Sequence, residues 1–164
     1  MVQTALERFG RIDILVNDAA VVSTVLVLEL TEGAWNRVIA INLTGVFIWC
    51  KKAAEIMVQQ RSGRIINISS RSGHFGAPRM AAYGAAKQGV IGLTKVLALE
   101  LGEYSITANT MCPGNTDTEM IRKAFEARAA SRGQTVEQVI REITAKTPMR
   151  RIGVLVMCRP FRDR

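Results

Sequence analysis

Aromatic residues make up only 5% of this 164-residue chain, and no stretch interleaves them with Lys or Arg. Nucleic-acid surfaces are commonly built on that pattern, so none is expected here despite a net charge of +8. The positive residues are scattered, apart from a cluster at the end: Arg150, Arg151, Arg159, Arg162 and Arg164. Cysteine is scarce too. Cys50, Cys112 and Cys158 are odd in number and form no C-x-x-C pair, which argues against a disulfide framework. They read as free thiols in a reducing compartment, so a cytoplasmic location is expected. Cys50 and Cys112 read as small core residues, and no metal is expected. The apolar run "VVSTVLVLEL" is too short to cross a bilayer. The opening "MVQTALERFGR" is charged within a few residues and has no apolar stretch of the kind a signal peptide needs. No membrane partner is expected. Internal repeats and low-complexity tracts are absent as well.

What is present is an ordinary globular composition, 48% apolar and 22% charged, in a chain long enough for one real core. "RIDILVN" reads as a buried strand, about Asp13 to Asn17. A long helix is predicted from Glu32 to about Gln60, capped by Thr31, with an apolar face through Trp35, Val38, Ile39, Val46 and Trp49. "GRIINISS" is a second strand ending near Ser69. "AAYGAAKQGVIGLTKVLALELG" is a helix stopped by Gly102. "SITANTMCPG" is a third strand. Two helices follow, the second from Val136 to Lys146 with a capping box of Thr135 and Gln138. Strands alternating with helices of this length imply βαβ units and a parallel sheet, an α/β fold.

Ligands of open parallel sheets bind outside the carboxyl ends of the strands. The three predicted strands deliver Asn17, Asp18, Ala19 and Ala20; Ser69 and Ser70; and Pro113, Gly114, Asn115 and Thr116. All are small or polar, as a planar ligand would require, although loops are polar in any case. Asn42 lies on the apolar stripe of the first long helix. It either bonds a neighbouring backbone group or serves a site, since a buried amide without partners costs about 1–3 kcal/mol. Tyr83 and Lys87, in "YGAAK", are four residues apart and share a helix face. Alone that spacing is weak evidence. It gains force from Ser70, thirteen residues earlier at a strand end. His74, the only histidine, is either a solvated loop residue or a substrate contact. Gly84, Gly89 and Gly92 fall inside a helix and read as sites of close packing.

With Ser70, Tyr83, Lys87 and Asn42 together, the chain resembles the short-chain dehydrogenase/reductase family from Ala5 to about Gly153. "ILVNDAA", "NLTGVF", "GRIINISS" with "YGAAK", and "NTMCPGNTDTEM" resemble four family segments in the family's order. The resemblance implies a partial, Rossmann-like doubly wound parallel sheet with flanking helices, its three strands corresponding to the family's fourth to sixth. It implies an NAD(P)-dependent oxidoreductase that passes a hydride between a nicotinamide and an alcohol or ketone. Tyr83 would be the acid/base, its phenolate favoured by Lys87 and the cationic nicotinamide, because a free tyrosine with a pKa of about 10 is a poor base at neutral pH. Lys87 would also hold the ribose, Ser70 the reacting oxygen, and Asn42 a water. Asn17, Ala19, Ala20, Tyr83, Lys87, Pro113, Gly114, Thr116 and Thr118 would bind NAD or NADP. Ser70, Ser72, His74 and Met120 would meet a small alcohol or carbonyl substrate. A helix pair from Thr118 to Thr147 resembles the family's substrate lid, with Met120 and Phe125 as an apolar wall.

Asp18 stands where the family usually has a second Asn, Ala20 where it has Gly, and Thr116 where it has Val. A carboxylate at Asp18 would repel a phosphate-bearing cofactor, and a Cβ at Ala20 would crowd its approach. Residues 1–153 are expected to form the catalytic portion without the family's first three strands and Gly-rich turn. Residues 154–164 are expected to be a divergent basic tail, as a shifted frame or misplaced gene boundary would give. Such a chain would expose an apolar strand edge and bind cofactor poorly. The alternative reading is an impaired fragment that acts as an oligomerisation module, pairing through the long helices as family members do.

Overall fold

Three short apolar runs bounded by polar turns become three parallel strands: β1 (Ile14–Asn17), β2 (Gly63–Ile68) and β3 (Ile106–Met111), in the order β1-β2-β3. The structure, a computed structural model, describes residues 2–154 apart from the side chain of Met120. Cys158, Arg159, Arg162 and Arg164, with nearly all of the expected tail, lie outside the described residues. Helices α1 (Val2–Phe9), α2 (Glu32–Ile39), α3 (Gly45–Gln60), α4 (Arg71–Phe75), α5 (Ala81–Leu101), α6 (Glu119–Arg132) and α7 (Val136–Ala145) complete the chain. It divides into two units, Met1–Pro113 and Gly114–Arg164.

In the first unit, α3 and α5 pack on one face of the sheet. Val46, Cys50 and Met57 of α3 meet Ile65, Ile106 and Ala108 of the strands and Val90 of α5. β2 alternates strictly: Gly63, Ile65 and Asn67 are buried, while Arg64 is exposed. On the opposite sheet face Ile14 and Val16 are 60% and 54% exposed. The partial Rossmann-like sheet with helices against it is therefore present.

The long helix predicted from Glu32 to Gln60 is present but not uniform. α2 and α3 are joined by a π turn, Ala40–Thr44. Val38, Asn42, Val46 and Cys50 are all buried, at intervals of four residues. In a pure α-helix that spacing would drift by about 120° over three steps; the one extra residue of a π turn takes about 100° of it back. The buried stripe therefore differs from the predicted one. Trp35 and Trp49 are each 38% exposed, because the π turn rotates the face onto Asn42 and Cys50. Thr31 caps α2, its hydroxyl accepting from the Ala34 amide at 3.2 Å.

Gly102 does not stop α5 by a left-handed turn. The helix tightens into a 3-10 turn, Gly102–Tyr104, and Ser105 takes the left-handed conformation at φ 60°. In the second unit α7 opens with the expected capping box: Thr135 accepts from Gln138 N at 3.2 Å, and the Gln138 side chain accepts from Thr135 N at 2.8 Å. Phe125, expected in an apolar wall, lies in the apolar core of this unit. It is buried with Ala129 and Val139.

Candidate functional site

The carboxyl ends of the strands in the first unit gather Ser69, Ser70, Tyr83 and Lys87. Lys87 lies on the buried side of α5, only 2% exposed. Its Nζ donates to the Ile68 carbonyl at 2.7 Å, so the ammonium is fastened to the last residue of β2. The same atom lies 5.7 Å from the centroid of the Tyr83 ring, within cation–π range. Ser69 closes the arrangement from the other side: its hydroxyl donates to the Lys87 carbonyl at 2.8 Å. Ser70 begins α4, where its hydroxyl accepts from Ser72 N at 3.1 Å. The segment expected to be a loop after Ser70 thus starts as a capped turn of helix.

The electrostatics run against a ready-made phenolate. Burial pushes the Tyr83 phenol above its ordinary value; a hydrogen bond with Ser70 pulls it down, and the Asp18 carboxylate pushes it up again. Burial lowers Lys87, opposed by Asp18 and Cys112. Lys87 directs its hydrogen bond at the Ile68 carbonyl and makes none to the phenol oxygen among the described residues.

Asn42, fully buried in the π turn, spends its amide on backbone. Nδ2 donates to Val21 O at 2.7 Å and Oδ1 accepts from Val21 N at 2.9 Å. It tethers the segment after β1, which carries Asp18, Ala19 and Ala20. Asn17 turns inward: its Nδ2 donates to Asn67 Oδ1 at 2.8 Å and to Cys50 Sγ at 3.3 Å. Asn67 in turn donates to Thr94 Oγ1 at 2.9 Å. His74 is exposed on α4, its ring tilted against Phe75, while Ser72 is half-buried. In the second unit, Thr118 caps α6, accepting from Ile121 N at 3.3 Å, and Thr116 bridges to Gly153. A groove of about 350 Å³ there is lined by Ile121, Phe125, Val136, Ile140 and Ile152, with Asp117, Arg122 and Glu126.

The family described as short chain dehydrogenase matches residues 1–129. The chain belongs to the short-chain dehydrogenase family. It is similar to a 3-oxoacyl-(acyl-carrier-protein) reductase of Synechocystis, 46% identical over 73% of this chain and 49% of the relative. It is also similar to a D-beta-hydroxybutyrate dehydrogenase of Rhizobium meliloti, 41% identical over 89% of this chain and 57% of the relative. The crystal structure of an NAD+-bound xylitol dehydrogenase superposes with a TM-score of 0.86 at 34% identity, covering 93% of this chain and 61% of that one. The chain spans about half the length of the curated relatives it matches.

Three positions do not stand out from the motifs: Asn67, Thr94 and Gly73. Asn67 and Thr94 are both buried and polar. Strand alternation would have found Asn67, since it shares the inner face with Gly63 and Ile65. Gly73 is the third. A Cβ there would stand 3.0 Å from the Lys87 carbonyl carbon and 3.1 Å from Gln88 N, so a larger residue would press α4 away from the backbone beside Lys87.

Proposed function

We propose that the chain carries the proton-transfer side of an NAD(P)-dependent oxidoreductase acting on an alcohol or carbonyl. The observation that carries it is the Ser70, Tyr83 and Lys87 cluster at the strand ends, with Lys87 held on Ile68 O at 2.7 Å. Tyr83 is the acid/base and Ser70 binds the reacting oxygen. Lys87, Ala19 and Ala20 would hold NAD or NADP, which would supply or accept the hydride, while Asn17 packs inward on Asn67 and Cys50. Asn42 acts by fixing Val21, and so the loop that carries Asp18 to Ala20. Support comes from the family match and from the NAD+-bound relative. Gly114, Thr116 and Thr118 are assigned to the cofactor, and Ser72, His74 and Met120 to the substrate, by family resemblance alone.

Fluorescence titration with NADH and NADPH tests the reading. Saturable binding, together with turnover of a 3-oxoacyl or 3-hydroxybutyrate substrate, is the expected result. Tyr83→Phe should then keep cofactor binding and lose about 10²–10⁴-fold in turnover. No saturable binding of either cofactor at about millimolar concentration, equivalent to a binding free energy weaker than about −4 kcal/mol, sinks activity for this chain.

A second reading has its own observation. Phe47 and Ile48 on α3 and Val96 and Leu99 on α5 are 47%, 49%, 48% and 84% exposed, an apolar surface suited to pairing with a second copy through these helices.

A further inference from the structure

Between β1 and α2 no residue from Asp18 to Leu30 is buried. Its one turn of 3-10 helix, Val27–Glu29, makes backbone bonds only from Leu26 to Leu30. Leu26, Val27 and Leu28 are 45%, 65% and 96% exposed, so burial of apolar surface does not fix the segment's course. Among the described residues, two side chains bind its backbone from outside. Asn42 takes both polar groups of Val21, at 2.7 and 2.9 Å. Arg79 takes Thr24: its Nε donates to the Thr24 carbonyl at 3.3 Å, across 55 positions of sequence.

The backbone at Arg79 is unusual. Its φ is 68°, in the left-handed region that residues with a Cβ rarely adopt. Arg61 and Ser105 share that conformation, but each closes a helical turn as its C-cap, where it is ordinary. Arg150 shares it too, and turns its side chain back onto the Ala145 carbonyl. Arg79 instead precedes a helix. Met80 N donates to Ala77 O at 3.2 Å and Gly84 N to Met80 O at 2.7 Å. The turn therefore runs straight into the start of α5, which carries Tyr83. Among the described residues the Arg79 guanidinium has no carboxylate partner, and Thr24 O is its acceptor. Backbone strain persists only where other contacts hold it, and the contact found here is the one to Thr24.

We propose that Arg79 is a positioning residue, a strap that joins the segment after β1 to the turn before α5. Asn42 holds that segment near its start and Arg79 holds it three residues further on. The segment carries Ala19 and Ala20; the turn lies between His74 of α4 and Tyr83 of α5. Slack in the strap is therefore slack between the cofactor side of the cleft and its substrate side. That role rests on the reading of Ala19 and Ala20 as cofactor contacts and of Tyr83 as acid/base. Arg79 acts through spacing, so its loss should raise KM more than it lowers kcat.

Chymotrypsin reads the strap with no cofactor or substrate present. Leu26 and Leu28 are exposed cleavage sites within the segment, and Phe9, 67% exposed on α1, is a reference site outside it. Arg79→Ala and Arg79→Gly should speed cleavage after Leu26 and Leu28 about 2–10-fold relative to Phe9, the range expected for one lost hydrogen bond. Arg79→Lys keeps a donor of similar reach and should be cut at nearly the parent's rate. Glycine takes a φ of 68° without a Cβ clash, so Arg79→Gly should not lower the melting temperature. Faster cutting in a fold of undiminished stability separates a strap from a general weakening. With 3-hydroxybutyrate and NAD or NADP, the alanine and glycine variants should show KM raised about 2–10-fold and kcat within about twofold of the parent. Equal cleavage in the parent and in both variants overturns the proposal, and so does an unchanged KM in a chain that turns over. A chain that binds neither NADH nor NADPH fails the proposed function and leaves the cleavage rates readable, so the two failures are distinguishable.

Discussion

Cys50 illustrates how much one position can depend on a neighbour's geometry. It is fully buried, accepts from Asn17 Nδ2 at 3.3 Å, and lies 3.5 Å from Asn67 Oδ1. Burial pushes its thiol above the ordinary value of 9.0, more than the two asparagines pull it down. The sign of the pH effect follows. As pH rises, the unfolded chain's thiol ionises first, while the folded thiol holds its proton. Stability from this group is therefore complete below about pH 9 and is lost as pH climbs from there through the folded value. Urea unfolding midpoints should fall between neutral pH and about pH 10, and Cys50→Ala should fall less steeply over the same interval. The mutant will be weaker at every pH because it opens space in the core; the slope is the diagnostic. Equal slopes would show that the thiol does not titrate differently in the two states. The expectation that Cys50 is a small core residue is met, but its place in a polar cluster was not readable. That cluster needs Asn17 and Asn67 side by side in the register, and a register is a property of two strands, not of one.

Elements meet closely at some of the glycines and not at others. Gly84, Gly89 and Gly92 were expected to mark close packing of α5. A Cβ at Gly89 would come within 2.8 Å of Leu43 in the π turn, one at Gly84 would make ordinary contact with Ser72 O at 3.5 Å, and one at Gly92 would meet nothing within 4 Å. Only Gly89 carries that role fully. The missing glycine was Gly73, where α4 crosses the Lys87 backbone. Helix propensity and packing then pull apart. Gly92→Ala should raise stability by about 0.5–1 kcal/mol, since it adds a better helix former at an exposed site. Gly73→Ala should cost about 1–3 kcal/mol, because backbone atoms cannot step aside. Thermal or urea denaturation of the two variants checks both signs, and a stabilising Gly73→Ala would refute the crossing. Much of this level was legible in advance. Three strands, the α5 helix, the Thr31 cap and the Thr135 box follow from patterns within a few residues. The π turn was not read, although four-residue spacing through Asn42 is its signature. Read as plain α-helical period, the pattern turns Trp35 and Trp49 inward, whereas both are partly exposed.

At the scale of the whole molecule, the distribution of apolar surface decides behaviour. No helix among the described residues is long and apolar enough to cross a membrane. Yet Ile14 and Val16 of β1 are more than half exposed, and they belong to a strand with one neighbour. The sheet face that α3 and α5 cover is dry; the opposite face is not covered within the first unit. Parallel strands are rarely stable with water on one side, because their sequences are apolar on both faces. The outward residues of α3 and α5 add a second apolar surface. Both surfaces oppose the net charge of +8, which favours separation in dilute salt. The expected outcome is association that grows with protein concentration and with salt. The two surfaces are separable by mutation. Leu99 is 84% exposed on α5, so Leu99→Glu removes apolar contact there with little cost to the fold. If α5 carries the pairing, light scattering should show the variant shifted toward the monomer, with its circular dichroism unchanged. If association persists at the same concentration, the open sheet face is the surface that mediates it. Val16→Lys, which puts a charge on that face of the edge strand, should then be the variant that separates the copies.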